Sequence, residues 1–221
     1  DVYKRQIYFL VSLTVLVYSF VVSTWKFAKP KIESNLRFWK VTLKEALPFG
    51  LSGIFITIYY WTDSVMLSLM KNDEVVGWYN AAYRLVLVLL MIPSVYFSAV
   101  YPVMSRFYKN LDESLKFTFE RSLKYLTALA IPLGLGVTIL SKEIILFIFG
   151  SEYISSADAL KILIWSDVFI FISLNYGYLF WSTNKQKIVT KVTAIGAVFN
   201  IILNIILIPK YSYIGASIST V

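Results

Sequence analysis

Five side chains in this 221-residue sequence combine charge or amide chemistry with strongly apolar surroundings. Asp63 lies in the run FGLSGIFITIYYWTDSVMLSLM and Arg84 in the next, AAYRLVLVLLMIP, and each run is long enough to cross a bilayer. Asp63 falls about four turns after the start of its helix and Arg84 about two turns into the following one, so an antiparallel hairpin brings both to a similar depth, roughly 10 Å from one face. Paired, they form a structural bond that fixes the hairpin. Apart, they line a water-filled cavity, Arg84 binding an anionic head group and Asp63 carrying a coupling cation. Asp167 sits about ten residues into its own span, near the bilayer midplane, where a carboxyl serves as a protonation or cation site or as a hydrogen-bonded brace between helices. Asn200 and Asn204 are one helical turn apart and share a face, either lining a polar cavity for sugar hydroxyls or bonding to neighbouring helices, and Asn175 is a weaker member of this set.

Other chemistries find little support. The sequence has no Cys and no His, so thiolate and imidazole metal sites are excluded and no disulfide framework exists. It contains no P-loop, GxSxG or HExxH pattern, and no catalytic residues are assigned. The expected cofactor set is empty apart from a coupling ion, H+ or Na+.

The elements that must hold these residues are apolar helices. Hydrophobic residues make up 58% of the chain, and its mean hydropathy is +0.68; a soluble domain has about 45 to 50% apolar residues. The fold class is therefore all-α: a polytopic integral membrane protein built as a helical bundle. Spans are expected at 7–24, 47–70, 77–105, 123–140, 157–181 and 188–208, with a further helix starting at residue 213. Pro93 and Pro102 are expected to bend the third span. Residues 144–149, too short to cross, are expected as a separate re-entrant or interfacial piece, and the Phe-Trp-Lys pattern of the linker near residues 37–40 as a helix on the membrane surface. Tyr59, Tyr60, Trp61, Trp78, Tyr79 and Tyr83 read as an interfacial aromatic belt at the outer end of the hairpin.

The net charge of +8 follows the same plan. Fourteen Lys and Arg fall in three loops expected on the cytoplasmic side, against Lys71, Lys142, Lys161 and Lys210 in the external segments. This is the positive-inside pattern of a multi-pass protein of the cytoplasmic membrane, and no nucleic-acid partner is implied. The chain begins with Asp and ends in IGASISTV, within what reads as a starting helix, so a piece of a longer protein is expected.

Four stretches in order, LKEALPFGLSGIFITIYYWTDSVMLSLMKNDEVVGWYNAAYRL, PVMSRFYK, SLKYLTALAIPLGLGVTILSKEIILFIFGSEY and NKQKIVTKVTAIGAVFNIILNIILIPKYSYIGASIST, together resemble the polysaccharide biosynthesis and O-antigen flippase branch of the multidrug/oligosaccharidyl-lipid/polysaccharide exporter superfamily. The resemblance implies two six-helix bundles around a cavity working by alternating access. Residues 1–24 then hold the last transmembrane helix of the first bundle, 25–44 a basic cytoplasmic linker and 45–221 a second bundle incomplete at its C-terminal end. It also implies as partners a polyprenyl-phosphate- or pyrophosphate-linked oligosaccharide, the lipid bilayer, and glycosyltransferase or polymerase machinery. Arg84 departs from the strongly basic cavity this implies, being the only Lys or Arg well inside a span. A cation-coupled multidrug exporter of the same superfamily and a non-transporting membrane scaffold of glycan assembly are the alternatives.

Overall fold

A computed structural model describes residues 2–26, 35–110 and 113–221, and every regular element in them is helical. The chain divides into two compact units, residues 1–43 and 44–221.

The first unit contains α1, Val2–Lys26, an apolar helix whose side chains from Ile7 to Val21 are largely exposed. Thr14 and Thr24 return their hydroxyls to the carbonyls of Leu10 and Phe20, at 2.8 and 2.7 Å, so their polar atoms add no unmet demand. The start of α2, Leu36–Met70, also falls here, where Asn35 Oδ1 accepts from the Phe38 backbone at 3.1 Å and caps the first turn. Residues 36–44 are thus the opening turns of the long helix α2 and not a separate surface helix. The rest of the expected surface segment, residues 27–34, lies outside the described residues.

The second unit continues α2 and adds α3 (Asp73–Leu89), α4 (Met91–Lys109), α5 (Ser114–Phe149), a 3-10 turn (Ser151–Tyr153), α6 (Ser156–Ser182) and α7 (Gln186–Thr220). Asn72 begins α3 by accepting the Val75 N–H at 3.1 Å, and Asp73 and Glu74 place negative charge on the positive end of the helix dipole. The expected bend of the third span is a break at Leu90, three residues before Pro93. Proline cannot bond the carbonyl of Leu89, and the helix restarts with the Ser94 backbone and hydroxyl both on the Leu90 carbonyl. Pro102 is carried inside α4 without a break.

A second expectation is overturned. Residues 144–149 are not a separate re-entrant piece but the last turns of α5, which runs unbroken until Gly150 at φ 85°. Pro132 did not stop that helix, and the apolar pattern continues through Lys142 and Glu143, which mark a helix end less strongly than Gly150 does.

α6 is the centre of this unit, packing against α3, α4, α5 and α7. Its buried face repeats at Leu160, Leu163, Ile164, Asp167, Val168 and Phe171, the spacing of one helical stripe. One apolar cluster joins Leu67, Tyr79, Tyr83, Leu163 and Ile208; another joins Phe97, Leu126, Ala130, Val168 and Phe171. Among the described residues five stretches are long and apolar enough to cross a membrane: Gln6–Lys26, Leu36–Met70, Asp73–Lys109, Ser114–Phe149 and Gln186–Thr220; the span expected at 157–181, in α6, is not one of them.

The last stretch is not straight. At Ser212 the backbone leaves helical geometry (φ 55°, ψ −136°), where the sequence led us to expect one span to end and another to start. Residues 213–220 fold back along α7, because Ser219 reaches Asn204 and a Cβ added to Gly215 would collide with the Leu207 carbonyl. Only glycine lets the two arms approach that closely.

Candidate functional site

Asp63 is fully buried, and four donors from three helical arms converge on its carboxylate. Oδ1 accepts from Asn200 Nδ2 at 3.2 Å and from Asn204 Nδ2; Oδ2 accepts from the Tyr79 hydroxyl at 2.9 Å and from Thr220 Oγ1 at 2.7 Å. The geometry follows from periodicity. Asn200 and Asn204 are one turn apart on α7, Tyr79 lies on the α3 stripe with Ala82, Tyr83 and Val86, and Thr220 is delivered by the reversal at Ser212.

The remaining polar atoms are also engaged. Asn200 donates its second N–H to the Ser219 carbonyl at 3.2 Å, Asn204 donates to Asn200 Oδ1 at 3.1 Å, and Ser219 Oγ donates to Asn204 Oδ1 at 2.6 Å. Tyr59 extends the cluster by donating to the Thr220 carbonyl, and Ser64 donates to Asn80 Oδ1 at 2.7 Å beside it. In a low-dielectric interior a buried carboxylate is tolerable when its lone pairs are filled in this way.

The proton inventory leaves Thr220 a choice of acceptor. Thr220 has a single hydroxyl proton but lies 2.7 Å from Asp63 Oδ2 and 2.8 Å from the Ala216 carbonyl. With Asp63 ionised, Thr220 donates to it. With Asp63 protonated, the acid donates to Thr220 Oγ1 and Thr220 turns its proton to Ala216. The same heavy-atom positions thus serve two charge states.

Arg84 takes no part. Asp63 and Arg84, close in depth on the sequence reading, do not pair: the ion pairs among the described residues are Lys116–Glu120 and Lys161–Asp158, and Arg84 is exposed. The reason is azimuth. Arg84 follows Tyr83 and so points about 100° away from the stripe that meets Asp63. Tyr79 and Tyr83 depart from the expected aromatic belt as well, being 0% and 4% exposed and stacked on one another at 5.5 Å. Trp78 stays nearer the surface and donates to the Glu152 carbonyl at 3.3 Å.

Asp167 is buried away from this network, and neither of its oxygens has a hydrogen-bond partner among the described residues. Asn175 donates to the Phe119 carbonyl at 3.2 Å and braces α6 against α5. Sequence reasoning missed Tyr79, Ser219 and Thr220. The last two carried a signal in GASIST, a run of small and hydroxylated residues suited to close helix contact.

A probable low-salt glycan biosynthesis flippase (Agl15) of Haloferax volcanii is 26% identical over 80% of this chain and 37% of its own length. A probable flippase (AglR) of the same organism is 28% identical over 73% of this chain and 35% of its length. An uncharacterized membrane protein of Methanocaldococcus jannaschii is 28% identical over 94% of this chain and 42% of its length. The chain therefore spans between 35% and 42% of the length of these relatives. No solved structure matches. Residues 3–108, just under half of the chain, match the family described as polysaccharide biosynthesis protein.

Proposed function

We propose that this chain is part of a flippase that moves a polyprenyl-phosphate- or pyrophosphate-linked oligosaccharide across the cytoplasmic membrane by alternating access. In this reading residues 1–24 supply the last helix of a first bundle, 25–44 a basic linker and 45–221 most of a second bundle. Glycan-assembling enzymes would be the protein's functional neighbours, loading the lipid carrier or consuming the translocated product.

The observation that carries the proposal is the separation of Asp63 from Arg84. A cation left exposed on an apolar span is costly in lipid and normally faces a bundle interior or an aqueous cavity, where it suits a phosphate-bearing head group. The carboxylate, in contrast, is closed off and joins α2, α3 and both arms of α7. Substrate contact is thus assigned to Arg84, and coupling to H+ or Na+ to the Asp63 cluster, where the carboxylate and the Thr220 hydroxyl carry the oxygens an ion meets. A cation entering the cluster competes with Tyr79, Asn200, Asn204 and Thr220 for the Asp63 oxygens, and so for the bonds that hold residues 213–220 against α2, which gives it a means of moving helices.

The test is translocation of lipid-linked glycan by the full-length protein in sealed vesicles. Arg84→Ala abolishes it while Arg84→Lys keeps part, since a lysine supplies charge but not the two-pronged contact of a guanidinium. Normal translocation by Arg84→Ala would refute the assignment.

A further inference from the structure

The second unit buries two carboxyl groups and treats them in opposite ways. Asp63 is met by four donors. Asp167 is 3% exposed, and among the described residues neither of its oxygens has a partner. It lines a cavity of about 10 Å³ whose other walls include Leu89, Ala130, Leu133, Ile164 and Phe171. That volume is enough for about one water. Packing around it is tight, since a Cβ on Gly134 would come within 2.8 Å of Val168 Cγ2.

Among the described residues no charge compensates Asp167. The titratable groups close enough to feel it are the phenols of Tyr60 on α2 and Tyr83 on α3. Neither bonds to it, and the Tyr83 hydroxyl is itself buried and unpartnered. From α5 the wall is Ala130, Leu133 and Gly134, and among the described residues no Lys or Arg of α4, α5 or α7 acts on the carboxyl. An isolated carboxylate in such surroundings is far costlier than the neutral acid.

We propose that Asp167 is a proton-binding site distinct from the Asp63 cluster, carried as the neutral acid while the α3–α5–α6 cavity is closed and releasing its proton to water when those helices part. The proton adds to one carboxylate oxygen from water and leaves by the same route, so charge and atoms balance with no further reactant. Closing the cavity therefore requires prior protonation. The use of this proton in driving transport rests on the flippase reading; its binding does not.

The experiment is infrared spectroscopy of the full-length protein in lipid at neutral pH. The expected result is a protonated-carboxyl C=O band that disappears in Asp167→Asn and persists in Asp63→Asn. Because the amide imitates a neutral acid, Asp167→Asn should also unfold at the parent's temperature. In the unmodified protein, an apolar carbodiimide should label Asp167, the acid adding across a C=N bond of the reagent. A spectrum unchanged by Asp167→Asn, together with no labelling at that position, would overturn the proposal. A band and label at Asp167 in a protein that moves no glycan would leave the proton site standing and count against the flippase reading instead.

Discussion

Thr220 donates its hydroxyl to Asp63 at 2.7 Å across 157 residues of chain, tying the folded-back end of α7 to the last turns of α2. The two helices make much of their polar contact through this cluster and through a second one, where Ser52 and Thr190 meet at 2.8 Å and Thr190 donates to the Pro48 carbonyl at 2.8 Å. α2 is thus held to α7 by bonds at two levels, each of which can break.

Thr220→Val keeps the shape and removes one donor to a buried carboxyl. A hydrogen bond to a charged group contributes about 1.5–3 kcal/mol, so thermal unfolding in detergent should show a loss of that size. Asn200→Ala should cost a similar amount. Because both act through Asp63, the double variant should depart from additivity by about 0.5–3 kcal/mol. Strict additivity would mean that the cluster does not act as a unit.

Gly215→Ala tests the close approach of the arms. Its methyl group meets the Leu207 backbone, which cannot turn aside as a side chain can. Overpacking of this kind costs about 1–3 kcal/mol, and here it should also push residues 213–220 off Asp63. Faster labelling of a cysteine introduced at Thr220 in the Gly215→Ala background reports that displacement. An unchanged labelling rate would show that the arm has room to shift without leaving its partner.

Replacing Asn72 by Ala removes the cap of α3, with an expected loss of about 1 kcal/mol. Translocation should be nearly unchanged, since the connection at residues 71–72 lies away from both Asp63 and Arg84. A transport defect much larger than the stability loss would make this turn part of the moving machinery.

Much of the fold was legible because apolar runs and loop charges report helices directly. The sequence placed Asn200 and Asn204 on one face of α7, and the break at Ser212 was visible in Pro209 and Lys210. Asp63 and Arg84 were compared by depth alone, whereas their partners were decided by azimuth; Tyr79, Ala82, Tyr83 and Val86 already define a stripe that excludes Arg84. Tyr79 read as an interfacial residue because a phenol suits that location equally well. Thr220 was not foreseen because its role depends on a chain reversal that brings residue 220 to residue 63, a distance in sequence on which helical periodicity carries no information.

The most direct measurement is translocation of a phosphate-linked glycan lipid by the full-length protein in vesicles, comparing the parent with Arg84→Ala, Arg84→Lys and Asp63→Asn under an imposed ion gradient. The account predicts no movement with Arg84→Ala, partial movement with Arg84→Lys, and a rate with Asp63→Asn that no longer responds to the gradient. Movement by Arg84→Ala at the parent's rate, still responsive to the gradient, would contradict it.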